Sequence, residues 1–368
     1  MARAYVFKKP WKRILAQCFD VFGSVFFFWL PRKFVIQPAR IRKLLVVRID
    51  HLGDALLLRP ALLCLRTSQP ELKIHLLTTP ENAPLFMLDT FIDRVIAFNG
   101  HWFQKNTGFL RKIGAAWKIL QTLRKEKYDG VIDFRGDVRA NLLCALAGIP
   151  VRLGYGFTGG GWLLTHEKPW CDSKHQALVN AEMLSDFGIS FNADLLDNPP
   201  VHFPYSTVSR IHRLMPGQDE DSYAVIHAGA GNPEKEWPLE RFLSIADNLI
   251  AGKRIQSIFF VGTADEKKRS GQITQDGVYD LRGQTDLHEL ACILKRASFF
   301  IGNDSGPAHL AAAQSVPILL ISSATNKIDF WHPWSDCMTI VPSESRAPAS
   351  VECVQAELEK LLSKGTAV

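Results

Sequence analysis

The chain has 368 residues, 47% of them hydrophobic and 22% charged, with a formal net charge of +6. These values exclude a disordered chain and a single small domain, and two domains are expected. The mild positive balance suits an acidic substrate or an anionic membrane surface, and no RNP, zinc-finger or basic-zipper pattern calls for nucleic acid.

Residues 1–42 form a basic, aromatic-rich segment. Ten of the first 43 residues are Lys or Arg, and Asp20 is the one acid among them. The apolar stretch CFDVFGSVFFFWLP (18–31) is short for a bilayer span and is interrupted by Asp20 and Gly23. No small-residue cleavage site follows it. The pattern predicts a helix lying on an anionic inner leaflet, hence a cytoplasmic protein held peripherally at the inner face of the membrane. The alternative is a helix packed on the protein's own surface.

From residue 43 the text alternates strand and helix. KLLVVRI (43–49) is an unbroken apolar run of the kind a central parallel strand needs, with a helical pattern from about Asp54 to Arg66. Further strands are expected at 73–79, 94–98, 129–134 and 151–156, with helices at 109–126 and 137–147. GFTGGGW (156–162) is either a mobile acceptor lid or a plain connection. Pro, Asp and Gly then accumulate, and 206–222 is read as a linker between a domain at 43–205 and another at 223–345. The D-x-D string Asp219-Glu220-Asp221 lies in that linker and reads as solvated acid. Strands are expected again at 223–228, 257–262, 278–281, 298–303, 317–322 and 338–342, with helices at 238–251, 286–296 and 306–314. A C-terminal helix falls within 346–368. This rhythm predicts an α/β protein of two Rossmann-like, doubly wound parallel sheets, in which ligands meet the carboxyl ends of the strands. The seven cysteines contain no C-x-x-C pair, which favours a reducing cytosol. Cys64, Cys144 and Cys292 stand in apolar helical text, as core residues do.

Two loops look able to hold an anion. HAGAGNPEKEWP (227–238) follows a strand. Gly229 and Gly231 permit a tight turn, Lys235 adds a positive charge, and the segment is neither a Walker loop nor a dinucleotide fingerprint. FFIGNDSGPAH (299–309) ends a strand at Gly302 and opens a helix through Asp304, Ser305 and Gly306, with Pro307 in the first turn. Two such loops in one half favour a shared diphosphate. In the first half, RIDHLGD (48–54) crowds Asp50, His51 and Asp54 around Gly53.

RIDHLGDALLLRPAL, HAGAGNPEKEWPLERF with its K-x-W-P element, DLRGQTDLHELACILKRASFFIGNDSGPAHLAAA and VPILLIS resemble the lipopolysaccharide heptosyltransferases, the ADP-heptose glycosyltransferase family, over roughly residues 43 to 335. The resemblance implies a glycosyltransferase B (GT-B) fold, two Rossmann-like domains facing a central cleft. It implies inverting transfer of heptose from an ADP-activated donor to a sugar of the lipopolysaccharide core. The acceptor then lies mainly on the first domain and the donor on the second. Carried over position by position, Asp54 is the catalytic base and Lys235 faces the donor phosphates. Ala228, Gly229, Ala230 and Gly231 form the first phosphate loop, and Asp304, Ser305, Gly306 and His309 the second. Glu266 falls near a ribose contact and Leu287, after Asp286, beside the adenine pocket. Arg48, Asp50, Arg135 and Arg139 are the acceptor-side candidates.

The chemistry agrees with these roles: a carboxylate deprotonates the attacking hydroxyl, while amides and Lys235 stabilise charge on the departing diphosphate. No metal and no cofactor beyond the ADP-sugar donor is expected. A helix N-terminus lowers a carboxylate's pKa, so Asp54 is expected to be a weak base helped by desolvation on cleft closure. The alternatives are a paralogue that moves another sugar in O-chain or capsule assembly, and a non-catalytic nucleotide-binding module at the membrane. A dinucleotide oxidoreductase is disfavoured, since no G-x-G-x-x-G follows a strand.

Overall fold

The structure, a computed structural model, describes residues 5, 9–26, 36–99, 108–171, 173–193, 196–215, 222–323, 328–344 and 347–365. Residues 27–31 of the apolar N-terminal stretch and the Asp219–Asp221 string lie outside the described residues. The chain divides into two compact units, Met1–Asp197 and Asn198–Val368. No described helix is long and apolar enough to cross a membrane.

The first unit holds a six-stranded parallel sheet of β1 (Lys43–Arg48), β2 (Lys73–Thr78), β3 (Arg94–Ala97), β4 (Gly130–Asp133), β5 (Val151–Tyr155) and β6 (His166–Lys168), in the order β3-β2-β1-β4-β5-β6. Its helices are α1 (Pro10–Phe26), α2 (Leu52–Leu56), α3 (Arg59–Ser68), α4 (Phe109–Glu126), α5 (Val138–Leu146) and α6 (Gln176–Glu182). Strand β1 is covered on both faces, and Leu44 to Val47 are buried, as the apolar run requires. The helix expected from Asp54 to Arg66 is two helices, because Pro60 restarts it in the first turn of α3. Strand β6 was not foreseen: HEK has no apolar pattern, and this edge position is set by pairing with β5.

The second unit repeats the plan with β7 (Tyr223–His227), β8 (Ser257–Phe260), β9 (Val278–Asp280), β10 (Phe299–Asn303), β11 (Ile318–Ser323) and β12 (Met338–Ser343), ordered β12-β11-β10-β7-β8-β9 and parallel throughout. Its helices are α7 (Tyr205–Leu214), α8 (Leu239–Ala251), α9 (Ala264–Ser270), α10 (Leu287–Lys295), α11 (Gly306–Ala313), α12 (Ile328–Trp331) and α13 (Val351–Gly365). Two boundary expectations need correction. Much of the supposed linker is α7, an amphipathic helix packed on α10 that buries Thr207 and Ile211. The second domain also runs past residue 345, since Val354, Leu358 and Leu361 of the C-terminal helix α13 join the core formed by β7, β8 and α8.

Helix α1 packs on the first unit. Ala16, Asp20 and Gly23, spaced four and three apart, make its buried stripe. They press on the 156–162 loop, whose Gly159 and Gly160 have φ of 94° and 78°. The Gly160 amide donates to Asp20 Oδ1 at 2.6 Å, and Tyr5 donates to Oδ2 at 2.7 Å. A lone buried acid in an apolar helix is thereby satisfied. The loop is the buried seat of α1, which corrects the idea of a mobile lid. Gly23 lies on the Trp162 indole, and a Cβ there would stand 2.0 Å from the ring. Gly23→Val is therefore expected to lift α1 off its seat, at roughly 1–3 kcal/mol for overpacking. Faster hydrogen exchange in 157–163, with the rest of the unit unchanged, is the readout; unchanged protection there would count against this packing.

Candidate functional site

In each sheet the strand order reverses between the first strand and a neighbour that comes later in the chain: β1 beside β4, and β7 beside β10. These are topological switch points, where loops diverge and leave a crevice at the carboxyl ends. Every expected site residue except Glu266 and Leu287 follows one of these four strands or ends it; those two follow β8 and β9.

At the β1/β4 switch point, Asp54 stands in the first turn of α2. Arg48 ends β1 and is 2% exposed. Its guanidinium donates to the Phe134 carbonyl at 2.6 Å and to Asp54 Oδ1 at 2.9 Å. Arg48 Nε is buried with no hydrogen-bond partner among the described residues. Asp50 lies 3.9 Å from Arg48 and 3.1 Å from Arg135, and Arg135 also donates to the Ile49 carbonyl. Asp50 accepts from the His51 amide, which makes it a turn-former. Arg139 is tied to Asp137, the N-cap of α5, at 2.5 Å.

The electrostatics reverse one expectation. Asp54 is pushed up to about 6; burial is the largest cause, Arg48 opposes it and Asp50 adds to it. A five-residue helix has little dipole to oppose this, and desolvation within the first unit is enough. The structure also corrects the role of Arg48. A side chain sealed beneath Asp54 holds and tunes that carboxylate and does not reach for an acceptor. Replacing it with Met is expected to move the acid limb of kcat/KM upward by about one pH unit or more, with Arg48→Lys in between. A limb that stays in place would show that Arg48 does not set the charge of Asp54.

Asp133, at the end of β4, was missed. It is 2% exposed and accepts from the amides of Arg135 and Asp137 at 3.0 and 3.1 Å, so it shapes the loop beside Asp54. Burial pushes it up to about 7. Its place as the last residue of an apolar strand was the available signal.

At the β7/β10 switch point the two glycine loops are joined by Asn303, which is wholly buried. Its side chain donates to the Ala228 carbonyl at 2.8 Å and accepts from the Trp237 amide at 3.0 Å. Ser305 is the N-cap residue of α11, yet its hydroxyl donates to the Asn303 carbonyl at 3.0 Å and meets His227 Nδ1 at 2.9 Å. The Gly306 end of the helix is thus left uncapped by that side chain. Lys235 Nζ lies 3.8 Å from Asp304 Oδ2. Burial raises the Asp304 carboxyl, and Lys235 and His332 work against it. His309 is 7% exposed in the first turn of α11.

Glu266 joins this group through His227, whose Nε2 is 3.4 Å away. Burial pushes Glu266 upward, but His227 and the Thr263 bonds outweigh it and hold the carboxylate at about 2. A Cβ on Gly229 would stand 2.1 Å from Glu266 Oε1, so a larger residue there would displace that carboxylate. The Ala230 amide is already taken by Glu236 at 3.1 Å, so it is not a spare anion donor. Gly231 is exposed, with nothing within 4 Å of a built Cβ. Leu287 is half-buried at the start of α10, behind the Asp286 capping box. His227 and Asn303 are the residues that sequence reasoning left out here; both end apolar strands.

Solved structures share this architecture. A glycosyl transferase family 9 protein from Veillonella parvula superposes with a TM-score of 0.76 at 21% identity, over 88% of this chain and 97% of that one. The ADP-heptose lipopolysaccharide heptosyltransferase II of E. coli superposes with a TM-score of 0.73 at 20% identity, over 88% and 100%. The fold is thus the GT-B arrangement of two doubly wound sheets. In sequence the chain is 27% identical over 295 residues to lipopolysaccharide heptosyltransferase 3 of E. coli K12, covering 77% of this chain and 83% of that protein. The description "Glycosyltransferase family 9 (heptosyltransferase)" matches residues 116–360, well over half of the chain, and the chain belongs to that family.

Proposed function

We propose that this enzyme transfers a heptose from ADP-heptose to a sugar of the lipopolysaccharide core, with inversion and without a metal ion. The observation that carries the reading is the division of chemistry between the two switch points. Asp54, poised at about 6, is largely ionised at neutral pH and is a stronger base than an ordinary Asp. It takes the proton of the acceptor hydroxyl as that oxygen attacks the anomeric carbon. Lys235 and the open N-terminus of α11 take the charge that grows on the departing diphosphate. A lysine at that place supplies the positive charge that other transferases draw from a divalent cation. Asp50 and Arg135 flank Asp54 as the acceptor-side polar groups. The relatives named for heptosyl transfer to lipopolysaccharide support the choice of sugar and acceptor. A lipid-linked acceptor also suits a chain whose α1 exposes Trp11, Leu15, Phe22 and Phe26 beside Lys9, Lys12 and Arg13, and we place the enzyme peripherally on an anionic membrane.

The test is incubation with ADP-heptose and a panel of truncated lipopolysaccharide cores, read by mass spectrometry with and without EDTA. One core is expected to gain the mass of a single heptose, with ADP released and the rate unchanged by the chelator. Transfer only from another nucleotide sugar would replace heptose in this reading, and loss of activity in EDTA restored by a divalent cation would overturn the metal-free mechanism.

A further inference from the structure

Helix α4 buries Ile119, Leu120 and Leu123 in the core of the first unit. Yet it exposes Leu110, Ile113 and Trp117, at 81%, 49% and 58%. Their spacing of three and four residues makes them one stripe. Two turns further along the same stripe, Arg124 donates to the Leu146 carbonyl of α5 at 3.0 Å, so this side of α4 faces α5. Helix α5 exposes Leu142 and Leu146. Its first residue, Val138, lies against Gly160, on the seat of α1. The apolar outer faces of α4, α5 and α1 therefore follow one another across a single side of the sheet.

We propose that this three-helix face is one bilayer-docking plane, in which the α4 stripe is a second contact that α1 alone does not supply; it rests on the membrane reading above. Charge selects an anionic lipid surface as the occupant. The three helices carry Lys12, Arg13, Arg111, Lys112, Lys118, Arg124 and Lys125, besides Arg139, which is paired with Asp137 at the start of α5. Their two acids are both engaged: Asp20 by Gly160, and Glu126 by Lys43 and Arg94. Tryptophan, leucine and isoleucine flanked by bases, with acids withdrawn, is the chemistry of a headgroup boundary. A protein partner of matched charge would need acids facing these bases. Helices α4 and α5 begin at the carboxyl ends of β3 and β4, the end of the sheet that carries Asp54. Docking along them lays this side of the first unit on the leaflet where a lipid-linked acceptor resides.

The test is co-sedimentation of the full chain with vesicles of phosphatidylethanolamine and phosphatidylglycerol, and with phosphatidylcholine vesicles as the neutral control. The parent is expected to bind the anionic vesicles in a salt-sensitive way. A variant with Leu110→Ser, Ile113→Ser and Trp117→Ser is expected to bind them about tenfold or more weakly. Its circular dichroism and its transfer to a water-soluble core sugar should match the parent. A separate Leu15→Ser, Phe22→Ser variant tests α1. If the α4 variant binds like the parent while the α1 variant does not, the second contact is wrong and the membrane reading stands. If the parent ignores anionic vesicles, both fall. If the α4 variant only converts a dimer to a monomer, the face is a contact between copies and this proposal is overturned.

Discussion

Asp54→Asn is expected to lower heptosyl transfer by about 10²- to 10⁴-fold, the usual contribution of a general base, while ADP binds as to the parent. Asparagine keeps the shape of the protonated acid and its bond from Arg48, so geometry survives and basicity does not. The pH dependence follows from the same environment. With Asp54 at about 6, kcat/KM rises with pH through that value as the carboxylate ionises, then levels off. Stability runs the other way. The folded value exceeds the ordinary 3.8, so the folded chain holds this proton more tightly than the unfolded chain does. Ionisation costs the fold on the order of 2–3 kcal/mol. That cost is absent below 3.8, grows towards about 6, and is complete above it. The Asn variant is therefore expected to melt at or above the parent's temperature at pH 8, with the difference gone in acid. Transfer at the parent's rate would remove Asp54 as the base, and a lower melting point at pH 8 would remove the desolvation argument.

Lys235→Met is expected to cost about 10²- to 10³-fold in kcat, the range for losing one charge-stabilising donor. It should also weaken ADP, which Asp54→Asn does not. The lysine sits 3.8 Å from Asp304, and its loss removes a positive charge that offsets the burial of that carboxylate. Lys235→Arg keeps the charge and should recover part of both losses. Isothermal titration with ADP beside steady-state rates checks this. A variant that binds ADP as the parent does would place Lys235 away from the diphosphate.

The two glycine loops were legible as loops because their cause is local. Glycine where a loop must pass close to Glu266, and Ser-Gly-Pro at a helix start, are written in consecutive residues. The rhythm of buried strands was legible for the same reason: an unbroken run such as KLLVVR has no other stable place than a strand covered on both faces. Asn303 was invisible as a tie between loops, since it joins Ala228 and Trp237 from 75 and 66 residues away. The α4 stripe was invisible too, because its apolar residues read like core until the packing shows which side faces the sheet.

The sequence by itself determined the two doubly wound halves, the order of their elements, and the identity of Asp54, Lys235 and Asp304 as groups worth placing at strand ends. The halves and their order follow from periodicity and short-range sterics, and the three residues from the likeness of their motifs to those of the heptosyltransferases. Tertiary structure alone decided the charge of Asp54, because desolvation and the depth of Arg48 depend on what is packed around them. It also decided that the glycine loop seats α1 and is no lid, because Asp20 and Gly160, 140 residues apart, meet only when the sheet has formed. Burial and long-range pairing are properties of the fold, and one strand of text does not contain them.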